Sequence, residues 1–316
     1  MIRPSPGHRF LHRNVVWVAV AVSIAAVLAG CGDDPGPRSA DPRPLASAST
    51  GASSTPGIAT TSTAVAPVDA AALGARLQSV VDGFTAQQPV PFSVVVMDLS
   101  SGARATHLAD RTVLSASLYK LFVARELIRR IGAGELDRDA PAGDTMNRTI
   151  GQCIEAMIVV SDNACGAAGL RLVGSGALDA GLHRDGFVST SLASPQQTSA
   201  ADVALFLERA RDGALLGPGG ETGSSELYSL LRRQQVNDRL PPGLPAGTPL
   251  AHKTGDRLHW AHDAGVMTTP RGDVIVVVLS GPWDAPCCDA DHPGAAEASA
   301  FGAIAELGRE VYAAAS

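Results

Sequence analysis

The 316-residue chain contains only two lysines, Lys120 and Lys253, and arginine supplies the rest of its 25 basic residues. Arginine stays charged in proteins, whereas a desolvated lysine can lose its proton and act as a base. Lys120 stands three residues after Ser117, and Lys253 is followed directly by Thr254 and Gly255. This placement indicates that both lysines serve chemistry rather than surface charge.

The first lysine motif, Ser117-Leu118-Tyr119-Lys120, begins a segment whose apolar residues recur at helical spacing. A residue three positions later lies on the same face of a helix, so the Lys120 amine can reach the Ser117 hydroxyl. The positive end of the helix dipole would also lie at Ser117. Ser117 is therefore predicted to be a nucleophile, with neutral Lys120 as the general base that accepts its proton.

A second polar motif, Ser161-Asp162-Asn163, lies between the two lysines in the sequence. We interpret Ser161 as a proton relay to a leaving nitrogen and Asn163 as a ligand for a substrate amide. The backbone N–H groups of Ser117 and Asp256 are predicted to form an oxyanion hole. Together these residues predict acyl transfer through a covalent serine intermediate.

The third motif, Lys253-Thr254-Gly255, ends a segment with strand-like alternation. Lys253 and Thr254 are expected to bind a substrate carboxylate, with Gly255 in the same substrate-binding segment. Because this position mainly needs positive charge, we expect arginine to replace Lys253 with milder effect than Lys120. Two ammonium groups in one cleft should lower the pKa of each other.

The three motifs, S-x-x-K, S-D-N and K-T-G, occur in the order typical of class A β-lactamases and penicillin-binding proteins. From Ala70 to Ser316 the sequence resembles this penicillin-recognising serine hydrolase family. Supporting stretches are ASLYKLF around Ser117, EAMIVV before Ser161 and LRRQQ about twenty residues before Lys253. The resemblance implies an acyl-enzyme mechanism without a cofactor. Its substrates would be β-lactams or D-Ala-D-Ala peptides of peptidoglycan.

One segment departs from the family pattern. Class A enzymes carry a Glu-x-x-Leu-Asn motif after S-D-N, whose glutamate activates the deacylating water, but Gly186–Thr198 contains no acid. Asp185 is the nearest carboxylate and fits the end of a helix better than a catalytic base. We therefore expect slow deacylation, as in a D,D-peptidase or penicillin-binding protein; a non-catalytic envelope binder is the alternative. Asp256 puts an acid beside the expected anionic substrate, and Arg257 is a candidate to neutralise it.

The pattern of the folded part predicts strands at both ends and helices between them, and its fold class is α+β (mixed α/β). We expect an antiparallel five-stranded sheet flanked by helices, with an inserted all-helical lobe and the active site between the two lobes. The predicted strands are Phe92–Leu99, Ala103–Leu108, Thr248–Gly255, Ala261–Thr269 and Asp273–Ser280. Asp69 is predicted to cap the first helix, and the other predicted helices begin at Ser117, Cys153, Ala164, Ala177, Ala200, Glu226 and Ala295.

The first 67 residues have the pattern of an export signal followed by a tether. Basic residues precede an apolar run, Val15–Leu28, that is too short for a comfortable membrane span at about 20 residues. The run ends in Leu-Ala-Gly-Cys31, which resembles a bacterial lipobox. We predict a signal peptide over 1–30, lipidation of Cys31, a flexible Ser/Thr/Ala/Pro-rich linker over 31–67 and one hydrolase domain over 68–316. The protein should then be exported and lipid-anchored on the extracytoplasmic side of the cell membrane.

Charge and cysteines limit the remaining possibilities. The formal net charge is −6, which argues against nucleic-acid binding, and we expect a monomer. Export makes disulfides plausible among Cys153, Cys165, Cys287 and Cys288. Cys153 and Cys165 flank the S-D-N motif, so a bridge between them would brace the cleft. A metal site is the competing interpretation and is not expected, because the spacing matches no standard zinc pattern; its candidate ligands are His259, His262, Cys287, Cys288, Asp289 and His292.

Overall fold

The computed structural model describes residues 69–289 and 292–316. The predicted signal peptide, the lipidation site Cys31 and the linker lie outside the described residues. Within the described part, no helix is both long and apolar enough to cross a membrane.

The described chain forms eight α-helices, two short 3₁₀ turns and nine strands. The α-helices are α1 (Ala70–Ala86), α2 (Tyr119–Gly132), α3 (Ile150–Val159), α4 (Asn163–Val173), α5 (Ser175–Arg184), α6 (Ala200–Arg211), α7 (Glu221–Leu231) and α8 (Glu297–Ala315). The strands are β1 (Phe92–Asp98), β2 (Arg104–His107), β3 (Val113–Leu114), β4 (Gln197–Thr198), β5 (Leu250–Arg257), β6 (Trp260–Thr269), β7 (Gly272–Ser280), β8 (Cys288–Asp289) and β9 (His292–Pro293). The 3₁₀ turns are Ala116–Leu118 and Pro241–Gly243.

Five strands form one antiparallel sheet in the order β2-β1-β7-β6-β5, which confirms the predicted fold class. The centre of the sheet is apolar on both faces because it separates two cores. On β1, Val94 and Val96 pack in a core with α1 and α8, while Val95 packs in a second core with α2 and the helical lobe. Alternation of side chains along the strand therefore explains why the run of valines is continuously buried.

The helical lobe is inserted between β2 and β5 in the sequence. Helices α2, α3, α4 and α7 pack on one another there, and α6 packs on β7 of the sheet. The lobe and the sheet share one core, and β5 packs against the 3₁₀ turn Ala116–Leu118 that precedes α2. That junction brings the three motifs together.

Several predicted elements differ in their bounds: α3 begins at Ile150 rather than Cys153, and β5 spans Leu250–Arg257 rather than Thr248–Gly255. Ser117 lies in a 3₁₀ turn that leads into α2, not in the α-helix itself. Helix α7 begins at Glu221 rather than Glu226, with Glu221 in its first turn, where a negative charge is favourable. Periodicity alone also did not predict the short pairing of β3 with β4, which ties the segment before Ser117 to the loop that precedes α6.

Candidate active site

Ser117 is presented by a tight turn that packs against β5. Ala116 in this turn has a left-handed φ of 45°. A Cβ atom at Gly255 would lie 3.1 Å from Cγ of Leu118 and 3.2 Å from the carbonyl oxygen of Ser115. Glycine at position 255 is therefore what allows the K-T-G strand to approach the nucleophile turn so closely.

Lys120 is completely buried and contacts two of the three motifs. Its Nζ atom lies 3.0 Å from Oγ of Ser117, 2.5 Å from the carbonyl oxygen of Ser161 and 2.7 Å from Oδ1 of Asn163. A neutral amine offers two N–H donors and one lone pair. The carbonyl and the amide oxygen can take the two donors, which leaves the lone pair for the Ser117 hydroxyl.

Burial lowers the pKa of Lys120 to about 8, although the carboxylates of Asp256 and Asp162 oppose the shift. A glycine on α4 makes room for this side chain. A Cβ at Gly166 would lie 2.8 Å from Cε of Lys120 and 2.5 Å from the hydroxyl of Tyr119. The desolvation that prepares Lys120 as a base thus depends on close packing of α4 against α2.

Ser161 lies between the two lysine amines. Its Oγ atom is 2.8 Å from Nζ of Lys253 and 3.3 Å from Nζ of Lys120, and its backbone is left-handed, with a φ of 57°. Burial first, and then the nearby charge of Lys120, hold the pKa of Lys253 well below its usual value. Ser161 can therefore exchange a proton with either amine.

The position of Ser161 is secured by the residues that follow it. Asp162 caps α4 by accepting the backbone N–H of Cys165 at 2.8 Å. Arg148 donates to Asp162 at 3.0 Å and to Asp144 at 2.7 Å. Cys153 and Cys165 form a disulfide that links α3 to α4 across the motif.

The motifs surround a cavity of about 830 Å³. Ser117, Ser161, Asn163 and Asp256 line it, which brings the predicted nucleophile, relay, amide ligand and oxyanion-hole residue to one wall. Lys253, Thr254 and Gly255 lie behind this wall as buried residues. Lys253 reaches the cavity through its hydrogen bond to Ser161, so its role in binding a carboxylate directly stays a prediction.

Full burial also changes what substitution of Lys253 should do. The Lys253 amine donates to Oγ of Ser161 at 2.8 Å and to the carbonyl oxygen of Thr254, on the same strand, at 2.7 Å. Arginine is larger and permanently charged, and an extra charge in a buried site is costly. The structure thus argues against the mild effect that we expected for Lys253→Arg.

Arg239 is a site residue that the motifs did not reveal. Its side chain is 2% exposed, lines the cavity and donates from Nη2 to Oδ1 of Asp256 at 2.7 Å. Arg239, not Arg257, is the residue that pairs with this acid. The segment that carries Arg239 is also fixed to the sheet, because Asp263 on β6 accepts the N–H of Leu240 at 3.0 Å. No local pattern marks Arg239, which lies 17 residues from Asp256 in the sequence.

The acid-free segment Gly186–Thr198 closes another side of the cavity, where Gln196 is its lining residue. The backbone N–H of Ser115 donates to the Gln196 carbonyl oxygen at 2.9 Å and so ties the segment to the nucleophile turn. Asp185 caps the end of α5 and pairs with Arg125 at 2.5 Å. It is not among the residues that line the cavity.

Three of the candidate metal ligands, Cys287, His259 and His262, have other partners in the structure. Cys287 is buried and disulfide-bonded. Nε2 of His262 lies 2.8 Å from the Leu114 carbonyl oxygen, and Nδ1 of His259 lies 2.6 Å from that of Trp283. Among the side chains that the structure describes, the only group with metal-ligand geometry is Asp144 with Cys153 and Cys165, whose sulfurs are already bonded to each other. The side chains of Cys288, Asp289 and His292 lie outside the described part, so a metal site that includes them stays untested.

A known protein family matches the chain over nearly all of its described residues. The model of the β-lactamase enzyme family matches residues 72–315. The chain therefore belongs to the β-lactamase enzyme family. None of the curated proteins compared matches this chain.

Solved structures show the same fold at low sequence identity. PBP-A is 22% identical with a TM-score of 0.63, over 77% of this chain and 95% of that protein. An ancestral class A β-lactamase of Gram-negative bacteria is 23% identical with a TM-score of 0.63, over 75% of this chain and 99% of that protein. A point mutant of PBP-A, described as an acyl-enzyme complex with penicillin G, is 22% identical with a TM-score of 0.64, over 77% of this chain and 96% of that protein.

Proposed function

We propose that this protein is a cell-envelope serine hydrolase that forms an acyl-enzyme with β-lactams or D-Ala-D-Ala-type peptides and deacylates slowly. The observation that carries the proposal is the contact of Ser117 Oγ with Lys120 Nζ at 3.0 Å, in a site where burial lowers the pKa of that amine to about 8. A nucleophile beside a base that can be neutral near physiological pH is what acylation requires.

In the proposed acylation, neutral Lys120 takes the proton of Ser117 while Oγ attacks the amide carbon. The oxyanion is stabilised by the backbone N–H groups of Ser117 and Asp256. When the C–N bond breaks, the Ser161 hydroxyl protonates the leaving nitrogen, and Ser161 regains a proton from Lys120 at 3.3 Å. The net result is one ester bond formed, one amide bond broken and one proton moved from serine to nitrogen.

Deacylation needs a group that activates water, and the segment Gly186–Thr198 supplies Gln196 to the cavity wall instead of an acid. An amide can orient water but cannot accept its proton. This observation favours a penicillin-binding or D,D-peptidase activity over rapid destruction of antibiotics. The acyl-enzyme of the PBP-A mutant with penicillin G gives the proposal a precedent in a protein of the same fold.

Intact-mass measurement over time tests the proposal. The domain is incubated with a penicillin, in parallel with Ser117→Ala. We expect a one-to-one adduct that persists for many minutes and is missing in the variant. Rapid product release would refute slow deacylation. The lack of both adduct and product, with peptide substrates as well, would refute the enzyme and leave the non-catalytic envelope binder.

We also propose that the protein is exported and anchored by a lipid on Cys31. The support is the lipobox-like sequence and the short apolar run before it. Expression in a bacterial host with radiolabelled palmitate tests this idea, with Cys31→Ala as the control. Label in the control, or none in the natural chain, would contradict it.

A further inference from the structure

The guanidinium of Arg239 is surrounded by acids where it lines the active-site cavity. Nη2 donates to Asp256 at 2.7 Å, and Nη1 lies 3.6 Å from a carboxylate oxygen of Asp238. The opposite face of the guanidinium covers the ring of Phe301, with 4.2 Å between Cζ and the ring centroid. The single positive charge of Arg239 thus lies beside two carboxylates, those of Asp256 and Asp238, before any substrate binds.

The rest of the cavity wall does not restore a positive field. Among the described residues that line it, three are acidic, Asp238, Asp256 and Glu297, against two that are basic, Arg239 and Arg257. Lys253 is buried behind the wall. A carboxylate bound beside Asp256 would therefore face a like charge at contact distance, and this repulsion disfavours its binding.

The same place nevertheless has hydrogen-bond donors to offer. Nε and Nη1 of Arg239 are buried and make no hydrogen bond to any other described residue. The hydroxyl of Thr254 is also buried without a hydrogen-bond partner in the described structure, and alternation along β5 puts Thr254 and Asp256 on the same side of the strand. Buried donors of this kind are normally satisfied, and Arg239, unlike Thr254, lines the cavity, so its unpaired N–H groups are the candidates to donate to an acceptor on the ligand.

We propose that Asp256 makes this subsite selective for an uncharged carbonyl group, a carboxamide or an ester, over a free carboxylate on the leaving-group side of the substrate. An uncharged carbonyl oxygen accepts hydrogen bonds without adding a third negative charge around Arg239. This inference rests on the proposed acyl-enzyme function. Within it, penicillins and D-Ala-D-Ala peptides, which carry a free carboxylate on the leaving-group side, should acylate Ser117 more slowly than matched substrates in which that group is a carboxamide or an ester. Asp256 acts here as a specificity-determining residue through its side chain, separately from its backbone N–H.

Two matched thioesters of an acyl-D-alanine test the inference, one with thioglycolate and one with thioglycolamide as the leaving group. The rate of Ser117 acylation by each is followed from thiol release and intact mass, in the natural protein and in Asp256→Asn. The variant keeps an oxygen that can accept from Arg239 but removes the charge. Dividing the amide-to-acid rate ratio of the natural protein by that of the variant cancels the intrinsic reactivity of the two thioesters.

We expect this quotient to be at least about tenfold, since Asp256→Asn should favour the carboxylate substrate. Glu297→Gln is the control, because it removes an equal charge from the same cavity and Glu297 forms no ion pair with Arg239 in the described structure. A quotient near one, or an equal quotient for Glu297→Gln, would overturn the inference and leave the proposed function standing. Failure of both thioesters and of penicillin to acylate Ser117 would overturn both. Asp256→Ser replaces the asparagine variant if thermal melting shows that the latter does not fold.

Discussion

Deprotonation of Lys120 should control the rate at which Ser117 is acylated. Burial lowers the pKa of this amine to about 8. For a single group of this pKa, about one tenth of the molecules hold a neutral amine at pH 7, half at pH 8 and about nine tenths at pH 9. The rate constant for acylation should therefore rise about tenfold between pH 7 and a plateau above pH 9.

Lys120→Arg separates this explanation from a need for positive charge. Arginine keeps the charge but cannot lose its proton at these pH values, so it cannot act as the base. We expect a loss of about 10²- to 10⁴-fold, the usual contribution of a general base, in Lys120→Arg and Lys120→Ala alike. Neither variant should retain the rise in rate with pH.

The assay is stopped-flow or quenched-flow acylation by a chromogenic β-lactam from pH 6.5 to 9.5, with Ser117→Ala as the background for uncatalysed hydrolysis. Circular dichroism at each pH confirms that the protein stays folded. A flat profile in the natural protein would refute the assignment of Lys120 as the base. The same conclusion would follow if Lys120→Arg acylated within about tenfold of the natural rate.

Three further predictions concern the same site. Lys253→Arg should lower both the melting temperature and the acylation rate, because the amine it replaces is fully buried against Ser161; unchanged values of both would mean that the position only needs charge. Gln196→Glu should shorten the lifetime of the penicillin adduct at least about tenfold, because it adds a carboxylate that can act as a base to the cavity that Ser117 also lines. A time course of intact mass measures this lifetime, and an unaltered value would show that the missing acid is not what slows deacylation. Replacing Cys153 and Cys165 together by alanine should lower the free energy of unfolding, measured in urea, by about 3 kcal/mol, as expected for a disulfide over a sequence separation of 12. A decrease below about 1 kcal/mol would indicate that the disulfide does not constrain the unfolded chain.

Local pattern was sufficient for the sheet and for the chemistry of the motifs. The β-branched residues Val94, Val95 and Val96 predicted a strand, and in the structure successive residues of this strand face two different apolar cores. Spacing predicted that Lys120 reaches Ser117, since one turn of helix separates them. The cap of α1 was equally local, because Asp69 accepts the N–H groups of Ala71 and Ala72.

Contacts between distant segments were beyond such reasoning. Pairing of β3 with β4 brings Gln196 to the cavity, although no periodicity marks two-residue strands. The approach of α4 to α2 explains Gly166, whose sequence context is only that of a small helical residue.

By itself, the sequence determined which groups can react, since Ser117, Lys120 and Ser161 carry that capacity in their chemical types and order. The tertiary structure decided their protonation and their surroundings. Burial, which depends on the whole lobe, lowers the pKa of Lys120 and of Lys253. Packing of the segment before β5 sets Arg239 against Asp256. Electrostatic selectivity is a sum over groups brought close in space, so it arises only once the chain has folded.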